Sequence, residues 1–150
     1  MLNYVIQQYI SKACEKMNAE CTIITGSENL FNESVTDTSA ILSFDSHLIF
    51  FIDPIKETIE DGIFSGKVFM RVVLMFADNL EQQEENFSEF DVLIETVIST
   101  LTSREVDQSI DSKSRIVFGP VEYRQFLNYS DDCAFGYSLS FNVKSITSVC

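Results

Sequence analysis

Residues able to do chemistry are few and scattered. His47 is the single imidazole in the chain. A Cys–His nucleophile pair would have to join it to Cys14, Cys21, Cys133 or Cys150, because the thiol needs a base within hydrogen-bond reach. It stands beside Asp45 and Ser46 in a strand-like stretch, where a surface position or satisfied hydrogen bonding explains it better than catalysis. The cysteines show no C-x-x-C spacing, and one histidine supports a Cys/His zinc site poorly. Four cysteines in a chain of this size do not make a disulfide scaffold either. Cys14 falls on the apolar side of a predicted helix, so a buried free thiol is expected there, with reduced structural cysteines in a cytosol. Gly26, Gly62, Gly66, Gly119 and Gly136 never form a phosphate cradle. Asp107, Asp111, Asp131 and Asp132 match no EF-hand loop and suit turn chemistry better than ion binding. No acid pair stands out among the 23 Asp and Glu for acid/base work. The reading is therefore a protein that is not an enzyme and takes no cofactor or metal.

The 23 acids stand against 10 Lys and Arg, a net charge of −13. Unaided nucleic-acid binding is disfavoured, because phosphate contacts need clustered Lys and Arg. Anionic membrane surfaces are disfavoured on the same ground. No apolar run reaches the ~18 residues of a spanning helix, and the first residues lack the basic and apolar regions of a signal peptide. With 45% apolar residues, the 150-residue chain can bury one core and reads as a single domain over 1–150, soluble and made inside the cell.

The elements that must position these residues follow from periodicity. Leu2, Val5, Ile6, Tyr9, Ile10, Ala13 and Met17 recur at helical spacing and predict a helix over 1–17. A short β-rich run follows at 21–25, then a polar loop or weak edge strand at 28–39. A strand within 40–52 ends at Asp53-Pro54. Residues 55–66 read as an exposed acidic connection with some local structure. Residues 67–77 form the clearest strand: Val68, Met70, Val72, Leu74 and Phe76 share one face, and Phe69, Arg71, Val73, Met75 and Ala77 the other. Both faces are largely apolar, so a central strand is expected, its second face covered in part by a helix or another subunit. A second helix is expected over about 81–103, buried through Phe87, Phe90, Ile94, Val97, Ile98 and Leu101 and crowded with acids in its first half. Residues 105–114 read as a polar loop. Strands follow at 115–118, 121–127 and 134–146, the last alternating as an outer antiparallel strand. The order predicts an α+β fold, a mostly antiparallel sheet packed against two amphipathic helices.

The run KVFMRVVLMFADN, the acidic helix FSEFDVLIETVISTLTS, a polar loop and the paired strands of SRIVFGPVEYRQFLNYSDDCAFGYSLSFNV form an order that resembles the small neck and tail-completion proteins of tailed bacteriophages, the tail-terminator-like group. Within it the chain resembles the ring proteins of crAss-like phages. The polar stretches 28–39 and 54–66 depart from that plan. The resemblance implies a virion structural protein, made in the host cytoplasm. Copies would assemble as a closed ring in the neck or tail, beside portal and other neck or tail proteins. DNA would pass through the channel without specific binding, and no membrane is involved. An acidic lumen would let DNA slide, or the charge lies outside and confers solubility. The expected interface uses the ends of strand 67–77, with Val68, Met70, Val72, Leu74 and Phe76, and the acidic loops, with Asp61 and Gly62. A proline at Val72 is expected to abolish folding and one near Asp61 to be tolerated. The alternative is an acidic DNA mimic that inhibits a nucleic-acid-binding protein, motivated by the acids at 81–95.

Overall fold

The computed structural model describes residues 2–26, 47–76, 87–111, 114–128 and 134–146. Its first element, α1 (Leu2–Met17), buries Leu2, Val5, Ile6, Tyr9, Ile10, Ala13 and Cys14 along one side, the stripe that the helical spacing predicts. The helix stops because Asn18 turns left-handed at φ 56°. Asn18 N–H then donates to the Glu15 carbonyl and Ala19 N–H to the Cys14 carbonyl, so two carbonyls of the last turn are satisfied as the chain reverses.

That reversal overturns the free-thiol expectation. It brings β1 (Glu20–Thr25) back along the end of α1, where Cys21 forms a disulfide with Cys14 across 6.5 Å between Cα atoms. Cys133 and Cys150 lie outside the described residues.

The strands β2 (His47–Ile52), β3 (Glu57–Glu60), β4 (Ile63–Phe76), β5 (Ile116–Phe118), β6 (Glu122–Asn128) and β7 (Ala134–Ser145) complete one seven-stranded sheet in the order β1-β2-β4-β7-β5. Beside that path β3 pairs with β4, and β6 with β7. Among the described residues only the β1–β2 pairing is parallel; the architecture is the expected α+β, mostly antiparallel one. Residues 27–46, including the expected loop at 28–39 and the first part of the 40–52 strand, lie outside the described residues.

Three sequence expectations are corrected here. The strand expected at 67–77 begins at Ile63, because 57–66 is a hairpin rather than a connection: Glu60 pairs with Ile63 across Asp61 and Gly62, both at positive φ (53° and 78°). This is the Asp-Gly turn whose twist matches paired strands. The strand at 134–145 is not an outer one, since β7 pairs with β4 on one edge and with β5 and β6 on the other. The loop expected at 105–114 contains a short helix, α3 (Arg104–Ser109), started by Ser103, whose hydroxyl accepts from Val106 N–H. The preceding helix, α2 (Phe87–Leu101), follows the predicted periodicity through Ile94, Val97 and Leu101; its expected start at 81–86 lies outside the described residues.

Val68, Met70 and Val72 of β4 and Tyr137, Leu139, Phe141 and Val143 of β7 face the helices. Val68 lies opposite Phe141, Met70 opposite Leu139 and Val72 opposite Tyr137, and all six join α1, α2 and α3 in one core. The other face carries Phe69, Arg71 and Val73 opposite Ser140, Ser138 and Gly136. On it Ile49, Phe51 and Val73 are buried by the chain itself, outside the helix-side core.

Two predictions follow from these elements. Pro cannot reach the positive φ of Asp61, so Asp61→Pro is expected to lose more than about 1 kcal/mol in urea unfolding, the reverse of the tolerance first expected; Val72→Pro, in mid-sheet, should give no folded protein. Reducing Cys14–Cys21 should lower unfolding free energy by about 2 kcal/mol, the loop-closure value for so short a loop, with the Cys14→Ser/Cys21→Ser variant unchanged by reductant.

Candidate functional site

The residues expected to form an interface divide sharply. Val68, Met70 and Val72 are fully buried in the chain's own core, so they turn inward rather than toward a neighbour. Leu74 and Phe76 continue β4, and their side chains lie outside the described residues. Asp61 and Gly62 form the tip of the β3–β4 hairpin, with Asp61 exposed, at a distance in sequence and structure from the buried trio. The long strand therefore acts as the spine of the sheet. Both its edges are paired within the chain, by β3 and β2 on one side and β7 on the other.

Among the described residues the sheet has two margins. β1 stands last on one side of the sheet and β6, with β5, on the other; among the described residues no strand pairs with the outer edge of either. The β1 sequence, ECTIIT, is rich in β-branched residues and contains neither Lys nor Pro, the residues that usually blunt an exposed edge. The disulfide to α1 ties this strand to the helix layer. β6 presents Glu122, Tyr123, Arg124 and Gln125 to solvent. On the helix layer, α2 exposes Val92 (63%) and Leu93 between Asp91 and Glu95.

Two buried tyrosines tie these margins to the core. Tyr9 donates to Asp107 Oδ1 at 2.6 Å and accepts from Ile116 N–H at 3.2 Å, linking α1, α3 and β5, while its ring meets Phe118 edge-on at 5.2 Å. Tyr137, at the centre of β7, donates to Asp91 of α2, and the Gln125 amide of β6 donates to both groups. Burial raises the pKa of both hydroxyls, and the adjacent carboxylate raises it further: Tyr9 well above the ordinary tyrosine value, Tyr137 to about 12. Held neutral, each hydroxyl serves as a hydrogen-bond donor rather than a base or nucleophile. Asp107, read from sequence as a turn acid, is thus an acceptor for a buried hydroxyl.

On the outer sheet face Arg71 reaches Asp53 at 3.3 Å and stacks over Phe69, 5.0 Å from the ring centroid. His47 opens β2 opposite Glu20, its side chain outside the described residues. Among the described residues no three His, Cys, Asp or Glu side chains are grouped to hold a metal, and no helix is long and apolar enough to cross a membrane. Asp131 and Asp132 lie outside the described residues.

Sequence reasoning placed the strand and missed its margins. The signals for the edges were present in the unguarded β-branched ECTIIT and in the polar alternation of EYRQ, but strand order decides which strands are outermost. No protein-family model matches the chain, and no curated protein is significantly similar to it.

The Tyr137 network yields a pH test. The unfolded hydroxyl ionises near 10.0 and the folded one near 12, so the unfolded state releases its proton first. Stability from this group is intact below pH ~10 and falls as pH rises toward ~12. Urea unfolding at pH 8, 10 and 11 should show that decline, and Tyr137→Phe should reduce it while Tyr9, whose hydroxyl is raised in the same way, keeps the remainder.

Proposed function

We propose that this chain is a structural subunit of a tailed-phage virion, building a homo-oligomeric ring in the neck or tail, as a head-to-tail connector or tail-terminator-like protein around the DNA channel. The observation that carries the reading is the pair of unlike sheet margins, β1 on one side and β6 on the other. Pairing the β1 edge of one copy with the β6 edge of the next is a heterologous contact. Repeated with a rotation that divides a full turn, it closes into a ring in which these edges are paired. The margins differ in their side chains, the β-branched ECTIIT of β1 against the charged and aromatic EYRQ of β6, which distinguishes them chemically.

The order of elements that resembles the neck and tail-completion group points the same way, and the disulfide adds to it. Such bonds persist in oxidising surroundings, virion surfaces among them. The margins, rather than the buried face of β4, are then the interface, and the neighbours are further copies together with portal, neck or tail proteins.

Native mass spectrometry and negative-stain microscopy test this directly. A closed ring of many copies is the expected result, formed by the chain alone or on addition of its virion neighbours. A monomer or dimer under both conditions overturns it. If that species also blocks a DNA-binding enzyme, the acidic DNA mimic takes its place.

A further inference from the structure

One concavity on the outer face of the sheet departs from the charge balance of the whole chain. It encloses about 480 Å³ where β3, β4, β7 and β5 come together. Three of the chain's ten cations line it, Lys56, Lys67 and Lys144, and no carboxylate of the described residues does, although acids outnumber bases by 23 to 10 overall. Register explains the convergence. Lys67 lies opposite Asn142, and Ser65 lies between Thr58 on one side and Lys144 on the other, so these side chains leave the same face. Lys56 enters β3 beside them.

All three lysines are exposed, and none pairs with a carboxylate of the described residues; the ion pairs found elsewhere are Lys12–Glu15, Lys16–Glu105 and Arg71–Asp53. Like charges gathered on adjacent strands repel one another, a cost relieved when an anion sits among them. Around them Thr58 and Ser65, whose hydroxyls share a hydrogen bond of 2.8 Å, and the Asn142 amide supply neutral donors. Ammonium groups with hydroxyl and amide donors, in a recess without competing carboxylates, suit the oxygens of a phosphate group.

We propose that this groove is a phosphate-binding site, taking either the phosphodiesters of a nucleic-acid backbone or a free phosphate compound. The proposal stands on the groove alone and does not require a ring. It also revises the composition argument, since the clustering that phosphate contacts need is present locally in an acidic chain.

The test uses the full-length protein with two probes, inorganic pyrophosphate and a 24-base-pair DNA duplex. Thermal unfolding and fluorescence anisotropy are measured at low salt. Lys56→Ala/Lys67→Ala/Lys144→Ala removes the groove charges, and Lys12→Ala/Lys16→Ala removes two from the helix layer. A midpoint raised by pyrophosphate alone identifies a free phosphate compound. Duplex binding identifies a backbone, with a log–log salt slope of about −3 for three neutralised phosphates. In either case the triple variant should lose on the order of tenfold or more in affinity, and the helix-layer variant should match the unaltered protein. The proposal fails if neither probe acts, if the triple variant responds as the unaltered protein does, or if the helix-layer variant loses as much as the triple one.

Discussion

The pairing of β4 with β7 is the contact against which every other element is placed. The two strands run together from Ser65 opposite Lys144 to Phe76 opposite Ala134. Their shared register sends Val68, Met70, Val72, Tyr137, Leu139, Phe141 and Val143 to one face, so a slip of one residue would exchange core for surface along the length of both. Gly136 helps to hold that register. A Cβ there would stand 1.9 Å from the Val72 carbonyl oxygen, closer than any side chain allows, and the ladder breaks step just beyond, between Val73 and Met75. Glycine lets the two backbones approach at the one place where the strand bends.

From that pairing the two layers acquire different characters. The helix side holds a continuous core, closed at the β5 margin by Tyr9, whose hydroxyl satisfies an N–H of the edge strand and a carboxylate of α3 at once. At the β6 margin Tyr137 does the same through Asp91 and Gln125. Both hydroxyls are fixed by burial beside a carboxylate, so the helices are anchored by polar contacts as well as apolar ones. The outer face buries an apolar strip at Ile49, Phe51 and Val73 and elsewhere mixes Phe69 and Val117 with Arg71, Ser138, Ser140 and the groove lysines. On the second face of β4, Val73 is thus shielded within the chain itself.

Patterns local in sequence were legible. The α1 stripe, the α2 periodicity and the alternation of β7 all reappear, because an amphipathic period reports directly which side is buried. Pairings distant in sequence were not. The alternation of Tyr137, Leu139, Phe141 and Val143 was read as an outer strand, but one dry face and one wet face also describe an inner strand whose second face meets solvent. Alternation reports faces; it is silent about edges. The Cys14–Cys21 bond escaped for a related reason: it depends on Asn18 reversing the chain in a left-handed conformation, which spacing alone does not reveal. Asp61-Gly62 was a recognisable hairpin signal, obscured because 57–60 reads as acidic connection rather than strand. Val68, Met70 and Val72 show the same limit: a strand apolar on two sides does not reveal that the helices of its own chain shield one of them.

Net charge and local charge act over different distances, and the groove shows why the first does not determine the second. At physiological salt the Debye length is about 8 Å, so a phosphate arriving from farther away meets the screened field of a −13 chain and is repelled or left indifferent. Within that distance it meets whatever side chains are nearest. On the helix layer those include Asp91, Glu95 and Glu105; at the groove they are Lys56, Lys67 and Lys144 with no acid in the lining. A surface of this kind admits a phosphate from one direction and rejects it from others, while the total charge keeps any single encounter weak. In a ring with the outer sheet face toward the channel, such weak and directional attraction would guide a passing duplex without arresting it. With the helix layer inward, the same charges would produce repulsion alone. The orientation of the sheet relative to the channel, rather than the sum of charges, therefore decides whether an acidic subunit touches DNA.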